Sequence, residues 1–89
     1  MYTLRCTDVM KAQLVEYNRI STNVGTIICE LLINPFTNAV ETNHPRLPQY
    51  YVDAGRYTIA FDVLDSEISI KHICNSVDFT RALNRPTGV

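Results

Sequence analysis

Eighty-nine residues make one domain and no more, and 46% hydrophobic against 19% charged residues is ordinary globular composition, neither disordered nor fibrous. A net charge of −1, from eight basic and nine acidic side chains, speaks against a protein that grips nucleic acid mainly through its phosphates. No apolar run approaches the ~18 residues of a membrane span, and the opening MYTLRCTDVMK lacks the cationic lead and apolar stretch of a secretion signal, so a cytoplasmic location without membrane contact is expected.

Tyr2 to Cys6 reads as a short strand, with Tyr2, Leu4 and Cys6 on one face and Thr3 and Arg5 on the other. Thr7 or Asp8 then caps a helix whose stripe is Met10, Leu14 and Tyr17. Ser21-Thr22-Asn23, three capping residue types in a row, breaks the pattern. The second helix is the clearest element, with Val24, Ile27, Ile28, Leu31 and Leu32 on one stripe. Gly25 weakens it by roughly 1 kcal/mol relative to alanine. Asn34-Pro35 ends it, because a residue before proline is pushed out of the α region. Residues 36–48, rich in Thr, Asn and Pro, show no period and read as an irregular surface loop.

Gln49 to Val52 forms a strand, and Asp53-Ala54-Gly55-Arg56 connects it to the next as a hairpin. Tyr57, Ile59, Phe61 and Val63 alternate with smaller or polar residues, a half-buried strand. Asp65-Ser66-Glu67 turns the chain into a last strand from Ile68 to Ile73. Val77 to Asn84 makes a short helix that Arg85-Pro86 stops. The expected fold is α+β: a β-α-α-β-β-β order with a short C-terminal helix, the helical hairpin packed on a small antiparallel sheet as a two-layer sandwich. It occupies the whole of 1–89 as one domain.

In this order and spacing the chain resembles the RelE/ParE toxin superfamily. The resemblance rests on Tyr2 and Leu4 in the first strand and on Leu31-Leu32-Ile33-Asn34-Pro35 at the end of the hairpin. It continues through Pro45-Arg46-Leu47 ahead of the sheet, the run Gly55-Arg56-Tyr57-Thr58-Ile59-Ala60-Phe61, the acidic turn, and Ile68-Ser69-Ile70. It extends from Tyr2 to about Leu83. It implies a toxin of a bacterial toxin–antitoxin pair, held inactive by an antitoxin segment wrapped over helices and sheet. One branch cleaves messenger RNA on the ribosome; the other poisons DNA gyrase without cutting RNA.

This sequence departs from the RNA-cleaving pattern. Those members carry an arginine after the tyrosine of the third strand, where this chain has Thr58. Arg56, two residues earlier, substitutes for it only if the strand extends that far. Beyond the last strand, Ser76 and Phe79 stand where many members place a basic residue or histidine and a tyrosine. Neither has a proton to trade near neutral pH, and cleavage through a 2′-hydroxyl needs a base, an acid and a cation.

The remaining catalytic candidates are Arg56, Lys71, His72 and Arg81. His72 is the residue type that titrates near neutrality, but alternation puts it on the face of Ile68 and Ile70, which argues for a packed or edge histidine. His44 reads as exposed in the polar loop. His72 and Cys74 offer two metal ligands with no second pair to complete a site, so no cofactor is expected. Tyr50, Tyr51 and Tyr57 invite base stacking, yet tyrosines in strands more often pack. The odd cysteine count reads as reduced core thiols at Cys6, Cys29 and Cys74.

Two functions follow. One is a fold that binds a macromolecular target, either a growth-inhibiting toxin of the gyrase type or a phage or mobile-element inhibitor. The other is a ribosome-dependent endoribonuclease neutralised by an antitoxin. The departures favour the first. Expected partners are an antitoxin or a host protein such as gyrase or the ribosome, with RNA or a second copy of the chain also compatible.

Overall fold

The structure is a computed structural model and describes residues 2–21 and 23–84. The capping role of Thr22 and the Arg85-Pro86 stop lie outside these. In chain order the elements are β1 (Thr3–Arg5), α1 (Asp8–Ile20), α2 (Asn23–Ile33), β2 (Val40–Glu41), β3 (Tyr50–Ala54), β4 (Tyr57–Leu64), β5 (Glu67–Asn75) and α3 (Ser76–Leu83). Among the described residues no helix is long and apolar enough to cross a membrane.

The Thr7 side chain accepts the Met10 amide at 3.1 Å and so caps α1, while Arg19 in the last turn suits the negative end of the helix dipole. Met10, Val24 and Leu31 turn inward from α1 and α2 onto Val52, Ile59, Phe61, Ile68, Ile70 and Ile73 of the sheet. Burying each of the larger side chains contributes roughly 1.5–3 kcal/mol. Gly25, expected only to weaken α2, meets Asn18 of α1. Its amide donates to Asn18 Oδ1 at 2.9 Å, and a Cβ there would stand 2.7 Å from the same oxygen.

The sheet has five strands in the order β1-β5-β4-β3-β2 and is mixed, which corrects the expected antiparallel sheet. The β3–β4–β5 meander is antiparallel as expected. β1, however, lies parallel to β5, pairing Leu4 with Ile68. The reason is topological: the meander leaves the outer edge of β5 open, and the N-terminal segment fills it after the helical hairpin has reversed the chain twice. The 36–48 segment is less irregular than its sequence suggests, since Val40 and Glu41 pair with Tyr51 and Tyr50.

Two hairpin turns are tight. Gly55 has φ +69° and Asp65 φ 56°, each the first of two turn residues, the position where such turns need a positive φ. Arg56 therefore belongs to the turn, and β4 begins only at Tyr57.

A β-bulge interrupts β5. Phe61 faces Ile70 and Ala60 faces His72, so Lys71 has no opposite residue on β4. The extra residue shifts the phase by one: Ile70 and Ile73 are both buried, and His72 is exposed. His72 thus lies on the sheet face away from α1 and α2, not with Ile68 and Ile70 as strict alternation suggests.

On that second face α3 forms a partial third layer. Asn75 caps it by accepting the Val77 amide at 2.9 Å, and Phe79 packs on Tyr51 with ring centroids 4.9 Å apart. Ala60, directly opposite Tyr51 on β4, is fully buried.

Candidate functional site

The face beneath and beside α3 carries the residues that the resemblance singles out. Two rows run across the strands here: Tyr51, Ala60 and His72, then Asp53, Thr58 and Cys74. Thr58 is 1% exposed, and its hydroxyl lies 3.1 Å from Asp53 Oδ1 and 3.0 Å from Ser76 Oγ. A carboxylate only accepts, so the proton order is fixed: Ser76 donates to Thr58, and Thr58 donates to Asp53. The backbone strengthens the joint, since the Ser76 amide donates to the Arg56 carbonyl at 2.9 Å. Thr58, Ser76 and Phe79, the three departures from the RNA-cleaving pattern, are the residues that fasten α3 to the sheet.

The four catalytic candidates are all exposed, and among the described residues no hydrogen bond or ion pair joins any two of them. Lys71 and His72 are neighbours at the bulge of β5. Arg56 is in the β3–β4 turn beside Ser76, four residues along from His72, or roughly 13 Å at the rise of a strand. Arg81 is on the second turn of α3. Among the described residues no hydrogen bond links His72 to a second titratable group. Cys74 shares the face of His72, and burial, helped by the negative charge of Asp78, pushes its thiol above the ordinary range. The thiol there is held in its neutral form. Among the described residues no three His, Cys, Asp or Glu side chains are placed to hold a metal ion.

The tyrosines are engaged in packing. Tyr57 meets Tyr17 at 4.6 Å, Tyr51 meets Phe79, and Tyr50 lies between Phe36 at 5.5 Å and Phe61 at 5.8 Å. His44 is not the exposed loop residue expected of it. Its Nδ1 accepts the Arg46 amide at 3.1 Å, which places the ring proton on Nε2, and that nitrogen is buried without a partner. The 42–49 loop is further closed by the Thr42 hydroxyl on the Pro48 carbonyl and by the Gln49 amide on Asp62 Oδ1 at 2.8 Å. Residues His44, Glu41 and Tyr50 help line an open cavity of about 430 Å³ on this loop.

The larger feature is one the sequence reading passed over. An apolar groove of about 500 Å³ runs between α1 and α2 beside β1, floored by Leu4 and Val24 and walled by Leu14, Val15 and Ile28. Lys11 is its single charged side chain among the described residues. Cys29, expected in the core, is exposed at this groove. The signal was present in the residues left off the α1 stripe: Val9 and Val15 are each 71% exposed and Ile20 64%. A helix whose outer face also carries valine and isoleucine has more apolar surface than its own sheet covers. β1 is an edge strand, so unpaired backbone lies along the same side.

No family model matches the chain, and no match is found among curated proteins or among solved structures. The class is a small α+β domain with, among the described residues, three helices and a five-stranded mixed sheet.

Proposed function

We propose that the chain is a divergent RelE/ParE-type domain that acts by binding a macromolecular target rather than by cutting RNA. The observation that carries this reading is the burial of Thr58. Where RNA-cleaving members need an arginine to meet a phosphate, this chain has a hydroxyl enclosed between Asp53 and Ser76. Phe79, where a tyrosine would serve, is buried against Tyr51. A face used to seat α3 is not free to hold a nucleotide. The apolar groove between α1 and α2 then offers the surface on which a protein partner, antitoxin or host target, docks and removes exposed Val15 and the rest of half-buried Leu14 from water.

The endoribonuclease reading keeps one supporting observation. The bulge turns His72 and Lys71 outward together, a histidine and a cation on an open strand.

Induced expression in a bacterial host separates the two. Growth arrest without messenger RNA cleavage, relieved by Val15→Asp and unchanged by His72→Ala, is the expected outcome. Cleavage that disappears in His72→Ala and Arg56→Ala would establish the ribonuclease instead. An absence of arrest would remove the toxin reading, leaving an inhibitor whose partner is sought by pull-down with wild type against Val15→Asp.

A further inference from the structure

At the end of the parallel pair the sheet has a notch. β1 stops at Arg5, opposite Ser69, and the chain turns through Cys6 and Thr7 into α1. β5 continues to Asn75, so beyond Ser69 its outer edge has no strand beside it among the described residues. The resulting cavity, about 280 Å³, is lined by Arg5, Thr7, Ser69 and Lys71 over Met10 and Ile70. Among the described residues no carboxylate lines it.

The bulge gives the notch its second cation. If Lys71 were absent, Ile70 would still face Phe61 and His72 would still face Ala60, and every buried residue of β5 would keep its phase. The core therefore does not require the extra residue; its effect is on the surface, where it adds an ammonium to the notch. Lys71 has no ion pair among the described residues. Arg5 pairs only with Glu67, at 3.2 Å, with the two side chains 73% and 47% exposed, and such pairs hold their partners weakly. The Ser69 hydroxyl and the hydroxyl proton of Thr7, whose oxygen already accepts the Met10 amide, are available to donate.

We propose that this notch binds a phosphate group, with Arg5 and Lys71 supplying the charge and Thr7 and Ser69 the neutral hydrogen bonds. A guanidinium, an ammonium and two hydroxyls, without an acidic neighbour in the lining, match a tetrahedral dianion better than a carboxylate, which has two oxygens to satisfy. The notch adjoins the α1–α2 groove at Cys6, which lines both, but Arg5, Thr7, Ser69 and Lys71 line the notch alone, so the proposal stands or falls independently of target binding.

The test is an amide-shift titration of the folded protein at constant ionic strength with inorganic phosphate, AMP and adenosine. Phosphate and AMP should give saturable shifts at Thr7, Asp8 and Lys71, and adenosine none. Equal affinity for the first two would identify the bare phosphate as the ligand; tighter AMP would identify a phosphorylated nucleotide. Arg5→Ala and Lys71→Ala should each weaken binding about tenfold, with Arg19→Ala unchanged. Arg5→Gln and Lys71→Gln, which keep the bulk of the side chains, serve if either alanine variant unfolds. Shifts that do not saturate, or that survive both substitutions, overturn the proposal.

Discussion

At the scale of single residues, the structure turns on hydroxyls and thiols that a sequence reading sees only as departures. Thr58 stands where the RNA-cleaving pattern has an arginine, and its place in the Ser76–Thr58–Asp53 chain gives it a defined structural task. Thr58→Val keeps the shape and removes the link, leaving the Ser76 hydroxyl without its acceptor. The expected loss is about 1–2 kcal/mol, read as a lower urea midpoint at unchanged m-value. Cys74 gives a prediction in pH. Its thiol is raised by burial and by Asp78, so the folded chain holds that proton longer than the unfolded one. The associated stability is intact below the ordinary thiol range of about 8.5 and is lost as pH rises through the folded value. Unfolding measured from neutral pH to about pH 10 should therefore show a steeper alkaline decline in wild type than in Cys74→Ala. The same geometry makes exposed Cys29 alkylate faster than Cys74, a difference that mass spectrometry of partially labelled protein resolves.

At the scale of elements, what was legible followed a regular period. The α2 stripe, the α1 stripe and the alternation of β4 are local patterns, and each element lies where its pattern put it. Gly25 reads only as a residue that weakens its helix and Lys71 only as one more position of an alternating strand, because their reasons lie on a neighbouring element. In the spacing of Ile68, Ile70 and Ile73, a step of two and then of three is the written trace of the bulge, and strict alternation misassigned His72 by overlooking it. A prediction tests each. Gly25→Ala normally stabilises a helix by about 0.5–1 kcal/mol, but here the new Cβ displaces Asn18 from its bond to the Gly25 amide. The two effects should nearly cancel in wild type, and the gain should reappear in an Asn18→Ala background, a coupling that a double-mutant cycle reads directly. Deleting Lys71 should leave a cooperative fold, because the buried side chains of β5 stay in phase. Deleting Ser69 instead pushes Ile68 toward solvent, and cooperative unfolding should be lost.

At the scale of the molecule, the feature least legible in the sequence is the placement of β1. No local pattern tells a three-residue strand that its partner begins at Glu67, and the short turns of the meander suggest an antiparallel sheet where the edge is parallel. The candidate site suffered likewise: its residues were named, but whether they converge depends on turns and on α3, which periodicity does not place. The same long connection orders the folding. The β3–β4–β5 meander closes through two-residue turns, whereas β1 reaches β5 only after a loop of about sixty residues is closed, an entropic cost that local contacts do not bear. The meander should form first and β1 dock late. Leu4→Ala, which strips a half-buried side chain from the β1–β5 contact, should then cost about 2 kcal/mol almost entirely as faster unfolding, with the refolding rate nearly unchanged. Phe61→Leu, in the middle of the meander, should instead slow refolding. Chevron plots of the two variants decide the order: a refolding limb displaced by Leu4→Ala would mean that the edge strand belongs to the nucleus, and that the parallel pair guides the meander rather than following it.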